Sequence, residues 1–113
     1  MVDKFRGSQK AKVDESGRIK IPSKFLTIFK KGYENHKVYI TSVDADNVLL
    51  YPITEWEKIE EKTENEIMTD SVDEYAAKTS FWGDEIDIDK RGRILVQNEL
   101  RQEAQLNNEV LFV

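Results

Sequence analysis

Residues 13–25 read VDESGRIKIPSKF, and 75 positions further on residues 88–100 read IDKRGRILVQNEL. No gap is needed to align them: Asp14 meets Asp89, Gly17 meets Gly92, Arg18 meets Arg93, Ile19 meets Ile94 and Ile21 meets Val96. Each copy has Asp at the first and Gly at the fourth position of a four-residue turn, the preference of a type I turn. Ala11 and Val13 precede the first turn, and Ile19 and Ile21 follow it, alternating with polar residues as half-buried strands do. Ile86, Ile88, Ile94 and Val96 repeat that alternation around the second turn. A hairpin with one short helix cannot bury its apolar face alone, so a duplicated unit implies that the two copies share a core. Pairing about a pseudo-twofold axis would interleave their strands into one small β-barrel and bring both Gly-Arg turns to one side.

Outward from these turns the chain divides into three expected segments. Residues 1–53 form a first unit. Pro22 suits the first turn of a helix, Phe25, Leu26, Ile28 and Phe29 give it an apolar face, and Gly32 ends it. Lys37–Thr41 and Asn47–Tyr51 read as strands, with Pro52 stopping the second. Residues 54–80 form a linker of two helices, opened by capping boxes at Thr54/Glu57 and Ser71/Glu74, with Met68–Ser71 as the mobile joint. Residues 81–113 restart the unit, with Gln97 in place of Pro22 and so a less preorganised helix start. Glu109–Val113 matches Lys37–Thr41, and no counterpart of Asn47–Tyr51 follows, so another strand or chain is expected to fill that place. The fold class is α+β.

Bulk properties narrow the function. At 113 residues, 39% hydrophobic and 35% charged, the chain suits one small domain that gains from oligomerisation. It contains no cysteine, and His36 is its single histidine, so no metal or cofactor site is expected. The charged N-terminal stretch lacks a signal-peptide core, and no apolar run nears the roughly 20 residues that span a bilayer. The net charge of −5 is unevenly spread. Residues 1–37 carry 10 Lys and Arg against 4 Asp and Glu, whereas residues 38–87 carry 3 against 14. The acidic middle reads as solvated helix surface. The basic arm is left to steer an anionic partner.

The repeated Asp-x-x-Gly-Arg hairpin resembles the swapped-hairpin AbrB superfamily, and the whole chain is similar to its two-unit branch, the MraZ family. Phe5–Arg6–Gly7, Leu49–Leu50–Tyr51–Pro52 with Glu55–Trp56 and Ile59–Glu60–Glu61, and Phe81–Trp82–Gly83 leading into Asp89–Arg93 carry the resemblance. It implies a double swapped-hairpin barrel. It also implies a transcriptional regulator, not an enzyme, that binds repeats in double-stranded DNA ahead of a division and cell-wall gene cluster. The protein would be a homo-oligomer, with a ring as the family's assembly, cytoplasmic and nucleoid-associated, with no membrane or small-molecule partner. Arg18 and Arg93 take the family's DNA-contact positions, while Asp14, Gly17, Asp89 and Gly92 shape the turns.

Arginine suits that work because its planar fork can hold guanine O6 and N7, or a phosphate, with two bonds. Lys12, Lys20, Lys90 and Arg91 lie on the same hairpins, where they would contact phosphates and supply sequence-independent affinity. The plainer reading makes all six solvated surface charges, and duplication of the arginine in one register weighs against it. Trp56, Phe81 and Trp82 read as core or interface residues before they read as a base-stacking platform. Three other functions stay open: an AbrB-type antitoxin, a scaffold that does not bind DNA, and a hydrolase using paired carboxylates. The last lacks any visible nucleophile–base pair.

Overall fold

The computed structural model of the chain describes residues 7–32, 36–65, 70–106 and 108–112. In chain order the elements are β1 (Gln9–Lys12), β2 (Arg18–Lys20), α1 (Ser23–Gly32), β3 (Lys37–Thr41), β4 (Leu49–Pro52), α2 (Ile53–Asn65), α3 (Asp70–Phe81), β5 (Asp84–Asp87), β6 (Arg93–Leu95), α4 (Asn98–Glu103) and β7 (Glu109–Phe112). The result is a mixed α+β fold of small antiparallel sheets. Among the described residues they form three separate ladders rather than a closed barrel: β1–β7, β2–β6 and β4–β3–β5.

The pairings cross between the repeats. β1 of the first unit lies against β7 of the second, and β5 of the second lies against β3 of the first. β2 and β6, the strands after the two turns, pair with each other, Ile19 directly opposite Ile94. Inside the first hairpin the two arms meet at the isolated bridge Val13↔Ile19. The exchange extends past the strands: Val13 N–H donates to the Asn108 carbonyl, and its equivalent Ile88 N–H donates to the His36 carbonyl, both at 2.9 Å.

One core explains why the units exchange strands. Its buried members include Ile19 and Ile94, Ile21 and Val96, and Phe25 and Leu100, each pair occupying equivalent places in the repeat. Val38, Ile40, Phe29 and Ile88 complete it. Ile19, Ile94, Val38 and Ile40 lie on the inner faces of β2, β6 and β3, with Phe25, Phe29 and Leu100 supplied by α1 and α4, and strands this short have too little area to bury such residues against their own hairpin partners. Interleaving gives each apolar face the other unit's face to cover it.

Several local expectations shift. β4 starts at Leu49, not Asn47, because Asp44 Oδ1 accepts the N–H groups of Asp46 and Asn47 and holds them in the preceding turn. Pro52 does not stop β4 but belongs to it, opposite Val38. β4 is the edge of its sheet, where a missing N–H costs no ladder bond. α2 begins at Ile53 and α3 at Asp70, so Thr54 and Ser71 stand inside their helices rather than at the N-cap positions a capping box requires. Of the joint expected at Met68–Ser71, Met68 and Thr69 lie outside the described residues, as do Phe5, Arg6 and Val113.

Gln97 makes up for the absent proline. Its φ of −55° is already near proline's value, and its Nε2 donates to the Trp82 carbonyl at 2.9 Å. Pro22 and Gln97 then offer their carbonyls to the same places in α1 and α4, to Leu26 N–H and Arg101 N–H, each at 2.9 Å.

The linker helices are fastened to β3. Trp56 is buried and stacks on Tyr39 with ring centroids 4.5 Å apart, and the Tyr51 ring lies 5.2 Å from it. The Thr79 carbonyl of α3 accepts from both the Tyr39 hydroxyl at 3.0 Å and the Thr41 hydroxyl at 2.7 Å. Gly83 sits so close to Tyr39 and Thr79 that no Cβ would fit there. β3 is therefore covered on both edges. β7, its equivalent, has β1 on one edge and no strand on the other among the described residues.

Candidate nucleic-acid interface

The ribbon β2–β6 carries the charges that the sequence singled out. Ile19 and Ile94 are buried beneath it, so alternation turns Arg18, Lys20, Arg93 and Leu95 to the opposite face. Across the ribbon Arg18 is opposite Leu95, and Lys20 is opposite Arg93. The ribbon is antiparallel, so each turn leads into it from a different end.

The two turns share one backbone. Gly17 N–H donates to the Asp14 carbonyl and Gly92 N–H to the Asp89 carbonyl, each at 3.0 Å. Asp14 N–H donates to the Arg18 carbonyl at 2.9 Å and Asp89 N–H to the Arg93 carbonyl at 3.0 Å. The glycine φ values, +86° and +77°, belong to the left-handed region and mark a three-residue hairpin loop with a glycine bulge. Asp14 Oδ1 accepts the N–H groups of Ser16 and Arg18, both at 2.9 Å. Asp89 Oδ1 accepts those of Arg91 at 2.9 Å and Arg93 at 2.8 Å.

The side chains then diverge. Arg93 Nε donates to Asp89 Oδ2 at 3.0 Å, and its Nη1 donates to Asp14 Oδ2 at 3.1 Å. One guanidinium thus spans the two turns, with 29% of its side chain exposed. Arg18 makes no corresponding ion pair among the described residues. Its Nη1 donates to the Ser16 hydroxyl at 3.0 Å, while that hydroxyl donates to Asp14 Oδ1 at 2.7 Å. Position 91, equivalent to Ser16, is an arginine and offers no side-chain acceptor to Arg93.

These contacts set the charge of the turns. The Ser16 hydroxyl above all, then the Arg18 and Ser16 amides and the Arg93 charge, hold the Asp14 carboxyl below its ordinary value of 3.8. For Asp89 the Arg93 amide comes first, followed by the Arg91 amide and the Arg93 guanidinium. Both carboxylates are therefore charged at neutral pH, and desolvation opposes this only in part.

Of the other expected contacts, Lys20 Nζ reaches across the ribbon to the Arg91 carbonyl at 2.8 Å, tying β2 to the second turn. Lys90 and Arg91 are exposed in that turn. Lys12 is exposed on β1, opposite Glu109 of β7. The structure thus gathers Arg18, Lys20, Lys90, Arg91 and Arg93 on the ribbon and its turns and sets Lys12 on the neighbouring ladder. Trp56 is too deeply buried to stack on a base, while Phe81, 69% exposed, packs edge-on against Trp82 at 4.8 Å.

Arg101 was not among the residues singled out from the sequence. Its guanidinium lies directly against Gly17, where a Cβ would collide with Nη1. Among the described residues that buried Nη1 has no hydrogen-bond partner, and Nη2 donates to Asn98 Oδ1 at 3.0 Å. Arg101 and the first turn line an open groove of about 370 Å³ with Val13, Leu106 and Asn108. The equivalent residue in α1 is Leu26, whose Cδ2 would stand 2.5 Å from a Cβ on Gly92. Extending the alignment of the repeat by one residue pairs 26 with 101, which is the signal that could have found it.

Among the described residues no helix is long and apolar enough to cross a membrane. The profile of one protein family matches residues 4–77, under the description "MraZ protein, putative antitoxin-like". A protein of Acidobacterium capsulatum is 32% identical over 108 residues, covering 95% of this chain and 73% of its own. One of Syntrophobacter fumaroxidans is 36% identical over 111 residues, covering 96% and 71%, and one of Erwinia tasmaniensis is 32% identical over 111 residues, covering 96% and 72%. All three are named "Transcriptional regulator MraZ".

Proposed function

Because this chain belongs to the MraZ family, whose members are transcriptional regulators and not enzymes, we propose that it binds double-stranded DNA through the β2–β6 ribbon and its two turns. The observation that carries the reading is the ribbon itself. The major groove admits a two-stranded antiparallel ribbon, and this one buries Ile19 and Ile94 while turning Arg18, Lys20 and Arg93 outward. Base readout falls to the arginine pair Arg18 and Arg93 acting as a unit, and Lys12, Lys20, Lys90 and Arg91 supply phosphate contacts. The exchanged ladders support a double swapped-hairpin arrangement of the AbrB type, built from units 1–53 and 81–113 with linker 54–80. Several copies acting as a homo-oligomer, a ring in the fullest form, would engage repeated sites with avidity. Such a regulator works in the cytoplasm at the nucleoid and controls the division and cell-wall gene cluster.

A fluorescence-polarisation titration of duplex DNA over a salt series tests this. Arg18→Ala and Arg93→Ala each weaken binding to a preferred duplex, with about 1–3 kcal/mol lost where an arginine is bidentate to a base. Lys12→Ala weakens all duplexes alike and lowers the salt slope by about one unit. Affinity indifferent to ionic strength, or alanine variants that bind normally, would overturn the proposal. The family description favours one second reading, an antitoxin. It requires a stable protein partner, which light scattering of the complex purified from its source cells would reveal.

A further inference from the structure

We propose that the two turn arginines divide the work: Arg93 is a positioning residue that clasps the turns together, and Arg18 is the one that reads a base. This rests on the DNA-binding reading above and assigns unequal roles within it.

Arg93 is committed in two directions. Its Nε and Nη1 are held by Asp89 and Asp14, carboxylates from different repeats that stand 75 positions apart in the chain. Asp14 and Asp89 are also the residues that shape the two turns, so this guanidinium fixes the distance between both ends of the ribbon. Moving Arg93 to a base would break both ion pairs and leave two uncompensated carboxylates facing the phosphates. Arg18 has no such commitment. Its partner is a neutral hydroxyl on an exposed residue two positions away, a bond that a guanine edge replaces at little cost. Arg18 also faces the apolar Leu95, whereas Arg93 faces a second cation, Lys20.

The asymmetry traces to one position of the repeat. Ser16 accepts from Arg18 and donates to Asp14, and so keeps Arg18 on its own turn. Arg91 at the equivalent place cannot accept, and Arg93 folds onto Asp89 and across to Asp14.

The test uses a duplex selected by the protein from a random library, and every single-base-pair variant of it. Arg18→Ala should abolish discrimination at one base pair of the site, about tenfold or more, while other positions still discriminate. Arg93→Ala should weaken binding to every variant by one common factor and leave the discrimination profile intact. A second measurement needs no variant. In wild-type protein with 15N-labelled arginine, the Nε–H signal of Arg93 should be protected from exchange in the free state and unmoved by DNA, while that of Arg18 shifts. Loss of discrimination at a base pair in Arg93→Ala, or an Arg93 signal that moves on binding, overturns the division of roles and leaves DNA binding standing. Selection that returns no bound duplex overturns the DNA-binding reading, and an exposed, fast-exchanging Arg93 Nε–H in the free protein overturns the clasp independently.

Discussion

The turns at 14–17 and 89–92 repeat one another's backbone bond for bond, and yet each is covered by a different kind of side chain. Leu26 of α1 closes over Gly92 and packs against the core, so the second turn rests on an apolar support. Arg101 of α4 closes over Gly17 with a buried donor that has no partner, beside an open groove. Positions 16 and 91 differ likewise, a hydroxyl against a guanidinium, and so do 20 and 95, a lysine tied to the Arg91 carbonyl against an exposed leucine. Duplication kept the residues that shape the backbone, since only Asp and Gly serve there. Arg and Ile follow the glycine in both copies, while positions 16/91, 20/95 and 26/101 differ, and those differences decide which arginine is held and which is loose.

The largest effect should come from the core that the halves share. Leu100, fully buried in α4 at the place Phe25 holds in α1, should cost about 2–5 kcal/mol when replaced by alanine, read from urea unfolding. A smaller loss would mean that the second unit contributes less to the core than the first. Next come the glycines. Gly17→Ala and Gly92→Ala both force a Cβ into the left-handed region, at about 1–3 kcal/mol each. Gly92→Ala should be the worse, because Leu26 is packed whereas the Arg101 chain can swing toward the groove. Equal losses would erase the difference between the two supports.

Arg101→Leu gives the first turn the cover of the second. It removes an unpartnered buried donor and should raise stability by about 1 kcal/mol, seen as a higher urea midpoint at unchanged slope. The smallest effects concern the carboxylates. Asp14 and Asp89 are depressed below 3.8, so the stability they lend is fully present above that value and is lost as pH falls through their folded-state pKa. Unfolding midpoints should be flat from neutrality to about pH 5 and drop below about pH 4. Ser16→Ala should raise the Asp14 pKa in a carbon-detected NMR titration and leave Asp89 unmoved, since the hydroxyl is the leading cause for Asp14 alone.

Much of this was legible in advance. Asp and Gly at fixed spacing identified both turns, the 75-residue offset identified the copies, and the alternation of Ile19, Ile21, Ile94 and Val96 identified the inner face. The linker's two helices were read from charge and spacing, although Thr54 stands inside the first helix rather than before it. Pro52 misled because a proline forbids only a ladder bond, and at a sheet edge none was required there. For the candidate site, the sequence marked Arg18 and Arg93 as equals. Nothing in it could report that Asp14 is bonded to Arg93 of the other repeat, and nothing drew attention to Arg101 outside the motif.

Local chemistry is what the amino-acid order determined by itself: a turn needs a residue that accepts backbone N–H groups and another that tolerates positive φ, and both requirements are met within five residues. Tertiary structure decided that Asp14 serves the second turn besides its own. Pairing of strands from the two halves brings together groups that lie 79 positions apart, and ion pairing depends on distances between side chains rather than on spacing along the chain. Whether a repeated arginine is a clasp or a free hand is therefore settled only when the two halves have packed.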